Sequence, residues 1–210
     1  MKKIIIFGNS MSAELISYHI ENETNNKVVA YTVESKYLKL KNYNNLPIYP
    51  FESIHEFIDV TEMSLCIPIG IDSNDKRKEI FRKSRNMFKE IYSFISKNSL
   101  ISNNVSLGSG VVIYEGSIIQ PFSKIGSNVI IRSGVNISHH VSIGNNVFIA
   151  PSACICGGAK IMDDVIIGAG AIIKDQVIIN ASTIVGAGSL VLEDTIGDAT
   201  YFGVPAKIRT

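Results

Sequence analysis

The chain has 210 residues, 46% of them hydrophobic and 19% charged, with a formal net charge of +1. That is the composition of an ordinary globular protein, and a charge so close to zero argues against nucleic acid or an anionic membrane surface as a partner. No apolar run reaches transmembrane length, and three cysteines without framework spacing (Cys66, Cys154 and Cys156) fit a reducing cytoplasm.

In chain order, the opening apolar run Ile4–Phe7 is too short for a signal-peptide core and reads as a buried first strand. It meets the turn Gly8-Asn9-Ser10, after which Met11, Leu15, Ile16 and Ile20 fall on one face of a helix. Val28–Val33 reads as a second strand. Pro47, Pro50 and the polar stretch Lys39–Asn45 mark a loop region, and a short helix is expected over Ser53–Ile58. Leu65–Ile69 reads as a strand ending at Gly70, Asn74–Met87 as a charged helix with Lys76–Lys78 and Arg82–Arg85 on its polar face, and Glu90–Ile95 as a further strand. Strands alternating with helices imply a doubly wound parallel sheet. Ligands of such sheets sit at the carboxyl ends of the strands, here Gly8–Ser12, Thr32–Glu34 and Gly70–Ser73. A single glycine at the first turn does not make a dinucleotide fingerprint, so NAD is not expected.

From Ile101 to Thr195 a six-residue period runs unbroken. Every sixth position from Ile101 to Val191 is aliphatic, and the residue four places after each is small or β-branched, from Val105 to Thr195. A sustained six-residue period marks a parallel β-helix, a scaffold used mainly by acyltransferases. Three hexads make one triangular coil, so about five coils are expected, stacked about 25 Å high at ~4.8 Å per strand. Gly108, Gly126, Gly144, Gly168 and Gly186, with Asn145 and Asn146, fall at corners, where tolerance of positive φ is the expected reason for them. Residues 196–210 break the period and form a cap.

Of the four histidines, His19 and His55 fall on helices and read as structural. His139 and His140 occupy a corner of the repeat, where side chains point outward and packing gives no reason for histidine. An imidazole, with an ordinary pKa of about 6.5, suits a general base near neutral pH; solvated turn histidines are the plainer alternative. Two adjacent histidines do not make a metal site, and Cys154 and Cys156 lack zinc-ligand spacing, so no metal is expected.

Several motifs together identify a likeness: the strand-Gly-Ser turn, AYTVE at Ala30–Glu34, IPIG at Ile67–Gly70, QPF at Gln120–Phe122, SHHVSIG at Ser138–Gly144 and GVPAKI at Gly203–Ile208. With the hexads, they make the chain resemble the bacterial nucleotide-sugar N-acetyltransferases of the sialic-acid O-acetyltransferase-like group. The resemblance implies an N-terminal Rossmann-like α/β domain over residues 1–97 that binds a nucleotide sugar. It implies a left-handed parallel β-helix of hexapeptide repeats with its cap over residues 98–210. The implied reaction is acetyl transfer from acetyl-CoA to the amine of a dTDP- or UDP-linked 4-amino-4,6-dideoxy sugar, for a surface glycan such as O-antigen lipopolysaccharide, in a cytoplasmic homotrimer with sites between subunits. His139 corresponds to the general base of that family. Its follower, often acidic in the family, is His140, which leaves open what orients His139. Substrate contacts map onto Ser10, Met11, Ser12, Val33, Glu34 and Gly70, and acetyl-CoA contacts onto Phe148, Ala169 and Ala187. Two other readings remain: O-acetyl transfer to sialic acid or another sugar hydroxyl, and a non-catalytic sugar-nucleotide-binding scaffold.

Overall fold

The computed structural model describes residues 1–70 and 74–209, which divide into two compact units, Met1–Phe94 and Ile95–Thr210. The first unit is built on a six-stranded sheet. Its strands are β1 (Lys3–Phe7), β2 (Lys27–Val33), β3 (Asn42–Tyr43), β4 (Leu46–Pro50), β5 (Ser64–Cys66) and β6 (Glu90–Ile91), in the order β3-β4-β2-β1-β5-β6. All neighbours are parallel except the β3–β4 hairpin. Helices α1 (Met11–Glu23) and α2 (Asn74–Ser84) follow β1 and β5. The central strand β1 is buried from Ile4 to Phe7, as an apolar run in a parallel sheet requires.

Five sequence expectations change here. The loop expected around Pro47 and Pro50 contains the strand β4. Pairing with β2 begins at Ile48 and ends at Pro50, so Pro47 precedes the ladder and Pro50 closes it. The buried face of α1 is Ala13, Ile16, Ser17 and Ile20, at spacings of three and four; Met11 points away and is 85% exposed. The basic run at the start of α2 is not one solvated face: Arg77 is fully buried and donates to the Ile69 carbonyl at 3.3 Å. Glu90–Ile95 is not one strand, because Glu90–Ile91 and Phe94–Ile95 belong to different sheets. The expected helix over Ser53–Ile58 is a single 3-10 turn, Ile54–Glu56.

The second unit is a parallel β-helix. Each two-residue strand pairs with the strand eighteen residues on, as in Lys124↔Ser142 and Ser142↔Lys160, so three hexads make one turn. Three ladders result. One contains Ser142–Ile143, the next Phe148–Ile149, and the third Cys154–Ile155. The inward positions Ile113 through Val191 and their companions four residues on form one continuous core. Ile101, Val105 and Leu107, in the first turn, are only half covered. Backbone N–H groups bond to the turn above, for example Gly126 N–H to the Ile143 carbonyl at 2.8 Å. Stacking thus satisfies the main chain and buries the side chains in one operation.

The corner glycines serve a different purpose from the one expected. Gly108, Gly126, Gly144, Gly168 and Gly186 do not adopt positive φ. They are small because the next turn lies against them: a Cβ on Gly126 would sit 2.5 Å from the Gly144 carbonyl oxygen. Positive φ is taken instead by residues such as Asn128, Asn146 and Asp164, whose stacked side chains bond from turn to turn at 2.8 Å. Among the described residues, no helix is long and apolar enough to cross a membrane. Truncating one rung of the core, Ile173→Ala, should lower the stability of the second unit by about 2–5 kcal/mol, read as a reduced denaturation midpoint with the β-rich circular dichroism retained.

Candidate active site

His139 and His140 follow Ile137 at the corner between the ladder containing Asn136–Ile137 and the ladder containing Ser142–Ile143. Because Ile137 is locked inward, the two following side chains are thrown outward, and both imidazoles are exposed. The backbone N–H of His139 donates to the Gln120 Oε1 at 3.2 Å, and its carbonyl accepts the Gly158 N–H at 3.0 Å. The His139 Nδ1 lies 3.1 Å from the Nδ1 of His140. Here the structure supplies a partner for His139 where the sequence left one open.

Gly157, on the turn above, was not singled out by the sequence. A Cβ there would lie 2.8 Å from the His139 Cε1 and 3.1 Å from its Nε2. Gly157 does not adopt positive φ, so its smallness serves the ring that lies against it. Its neighbour Cys156 and Cys154 are outward and half-buried, not core packing residues; burial pushes the Cys156 thiol up, with Cys154 and Asp175 adding to the effect.

Ala169 and Ala187 are exposed at a different edge, between the ladder containing Phe148–Ile149 and the ladder containing Cys154–Ile155. They are stacked one turn apart, the Gly188 N–H donating to the Ala169 carbonyl at 2.8 Å. At Gly170 and Gly188, both at φ +65°, an added Cβ would meet nothing within 4 Å, so this edge leaves the main chain open to a ligand. Phe148 lies on the flank of the same edge and is buried. One chain therefore gathers Phe148, Ala169 and Ala187 at one edge and His139 with His140 at another.

In the first unit, the candidate substrate residues converge on the carboxyl ends of β1 and β2. Gly8, at φ +105°, donates its N–H to the Thr32 carbonyl at 2.7 Å and turns the chain into α1. Ser10 caps α1 without a side-chain capping bond, and its carbonyl accepts the Tyr43 hydroxyl at 3.3 Å. A Cβ on Gly70 would be 4.0 Å from the Ser12 Oγ, so these two are neighbours; the expected continuation of that segment, residues 71–73, lies outside the described residues. The Val33 side chain is buried, while Glu34 accepts from Lys76 at 2.6 Å. Lys76 was read only as part of a polar helix face. Its ammonium bonds to Glu34 and Glu79, which hold its pKa above the usual lysine range.

Among the remaining histidines, His19 is buried with its Nδ1 2.6 Å from the Glu23 Oε1, a packed and satisfied side chain. No group of three or more His, Cys, Asp or Glu among the described residues could hold a metal ion. The Gly157→Ala variant should keep its fold but push the His139 ring aside, lowering kcat by about 10- to 100-fold, measured beside an unchanged thermal unfolding curve.

Residues 122–157 match the family model described as bacterial transferase hexapeptide (six repeats). No curated protein sequence matches the chain. Among solved structures, PerB from Caulobacter crescentus, in complex with CoA and GDP-perosamine, is 26% identical with a TM-score of 0.86, over 100% of this chain and 98% of PerB. A mutant of perosamine N-acetyltransferase from the same organism, with the same ligands, is 25% identical with a TM-score of 0.90 and the same coverage. The acetyltransferase domain of PglB from Neisseria gonorrhoeae, at 18% identity, shares the fold over the full length of both chains with a TM-score of 0.87. The chain thus carries the repeat of the bacterial hexapeptide transferases and is similar along its whole length to nucleotide-sugar N-acetyltransferases.

Proposed function

We propose that this protein is an acetyl-CoA-dependent N-acetyltransferase acting on the amine of a nucleotide-linked 4-amino-4,6-dideoxy sugar. The observation that carries this reading is the whole-chain likeness to an enzyme solved with CoA and GDP-perosamine, on a scaffold that places an exposed histidine at its edge. In this reading the first unit is a Rossmann-like domain that takes the nucleotide sugar at Ser10, Met11, Ser12, Val33, Glu34 and Gly70, and the β-helix is left-handed. The enzyme works in the cytoplasm and supplies a precursor of a surface glycan such as O-antigen lipopolysaccharide.

Chemistry on this scaffold is direct transfer. The Nε2 of His139 takes a proton from the sugar amine as the nitrogen attacks the thioester carbonyl. The N–H of Gly157, beside the ring, is the donor we assign to the developing oxyanion. Collapse of the tetrahedral intermediate expels CoA as a thiolate and leaves the amide. No nucleophilic serine or cysteine is required. An amine attacks more readily than a hydroxyl, which favours amide over ester formation at an imidazole without a carboxylate partner.

The separation of the two edges bears on assembly. Acetyl-CoA held along Phe148, Ala169 and Ala187 of one chain meets a base only if a neighbour brings His139 to that edge. The ladder between the two edges has an outward column that is apolar at Leu100 (69% exposed), Ile118 and Ile172 (43% exposed) and is interrupted by Asn136 and the half-buried Cys154. Apolar patches of this kind mark interaction surfaces, and three copies in closed symmetry would cover each column once. We therefore propose a homotrimer with shared sites. Sedimentation should give the mass of a trimer, and the double variant Ile118→Glu/Ile172→Glu should give a monomer without turnover; a monomeric wild type with full turnover contradicts the shared site.

The reaction itself is tested by CoA release from acetyl-CoA against GDP-, dTDP- and UDP-linked 4-amino-4,6-dideoxy sugars, with sialic acid as the hydroxyl control. Release with an amino sugar, and an amide in the product mass, is expected. Release with sialic acid alone would assign O-acetylation instead, and release with neither would overturn the acceptor class.

A further inference from the structure

The two imidazoles at the corner are held as a pair. Their Nδ1 atoms are 3.1 Å apart, with the rings edge to face at 84°. Two ring nitrogens stay at that distance only when one hydrogen lies between them, since two lone pairs or two N–H groups repel. The surroundings are built for this contact. His140 adopts φ +60°, and its N–H donates to the Pro121 carbonyl at 3.1 Å. Its ring packs on Phe122, with centroids 4.8 Å apart. Phe122 is itself at φ +66° and 56% exposed. An aromatic residue in the left-handed region is a costly outlier, and such outliers cluster at functional sites. Gln120 and Gly157 hold His139 from the turns below and above. Charged and titratable groups nearby include Lys124 and Lys160, stacked below and above Ser142 two residues after His140, the Cys156 thiol beside Gly157, and Asp175 a turn further on, within electrostatic reach of Cys156. Among the described residues, no carboxylate forms an ion pair with either ring.

We infer that His140 is a positioning residue and proton outlet for His139, so that the two imidazoles work as a carboxylate-free relay. This rests on the reading of His139 as the base. With one hydrogen shared between the Nδ1 atoms, the neutral pair carries one more, on either Nε2. When that hydrogen is on His140, the His139 Nε2 has its lone pair free for the amine. On reaction, the amine nitrogen loses a proton to the His139 Nε2, the bridging hydrogen moves to the His140 Nδ1, and the His140 Nε2 proton leaves to solvent. The exposure of His140 gives it that exit. A single extra proton on the pair fills both Nε2 positions and stops the reaction.

Two variants and a spectrum test this. His140→Gly suits the positive φ and removes the outlet. Its kcat should fall about tenfold or more with both KM values within about twofold, and added imidazole should restore the rate. His140→Glu, which offers a carboxylate oxygen to the His139 Nδ1–H, should keep kcat within about tenfold of the wild type where His140→Gly does not. In 15N ring spectra of the wild type, one hydrogen should bridge the two Nδ1 atoms, and the bridge should vanish in His140→Gly. Wild-type kcat in His140→Gly, or a loss that imidazole leaves untouched, would overturn the relay. So would separate, unbridged rings, a result that decides the matter even if the protein acetylates no amine and the base reading fails on its own account.

Discussion

The inward isoleucine of each hexad is the constraint on which the rest depends. Once the residue at every sixth position is buried, the eighteen-residue turn follows, and with it the register of every corner. His139 points outward because Ile137 points inward, and it meets Gly157 because eighteen residues separate them. A one-residue slip in a strand would exchange inward and outward sets, destroying the core and the site together. The scaffold therefore supplies positional precision to the surface histidine proposed as the base. It does so without a loop or a lid, through backbone bonds repeated at each turn, such as the Gly158 N–H to the His139 carbonyl.

That regularity makes departures from it informative. Most corners carry Gly, Asn, Asp or Ser at the left-handed position, residues that take positive φ at low cost. Phe122 and His140, stacked one above the other in that position, do not share that ease. A second departure lies in the outward column that holds Leu100, Ile118 and Ile172, which leaves these apolar side chains exposed on either side of Asn136 and Cys154. Both lie along the path from the histidine edge to the edge with the open glycine backbone. Charge plays a lesser part in the second unit than in the first, where Glu34, Lys76 and Glu79 form a connected set beside the strand ends and the pull of Lys76 and Lys83 lowers Glu79 to about 2.

How legible all this was depended on the distance over which the cause acts. The β-helix could be read directly, because its period is local and repeats sixteen times. The outward histidines could be read from their place in the hexad. Gly157 could not, because its reason is a ring one full turn away, and the corner glycines were given the wrong reason because crowding by the next turn leaves no mark in local sequence. In the first unit, β4 was hidden by Pro47 and Pro50, which discourage strands in general but here fall at its ends, Pro47 in the hairpin with β3 and Pro50 closing the ladder with β2. Arg77 looked like one more solvated charge until the fold buried it under the Ile69 carbonyl. Whether His139 had a partner was undecidable from its neighbour's identity alone. It took the conformation of His140, set by its φ and by Phe122, to bring the two Nδ1 atoms together.

The account rests finally on His139 as the base in acyl transfer. The most direct measurement is the single-turnover rate of His139→Ala with saturating acetyl-CoA and an acceptor amine, alongside CoA binding by calorimetry in the same samples. The account predicts a rate lower by about a hundredfold or more with CoA binding unchanged. A variant that transfers acetyl groups at the wild-type rate would contradict it.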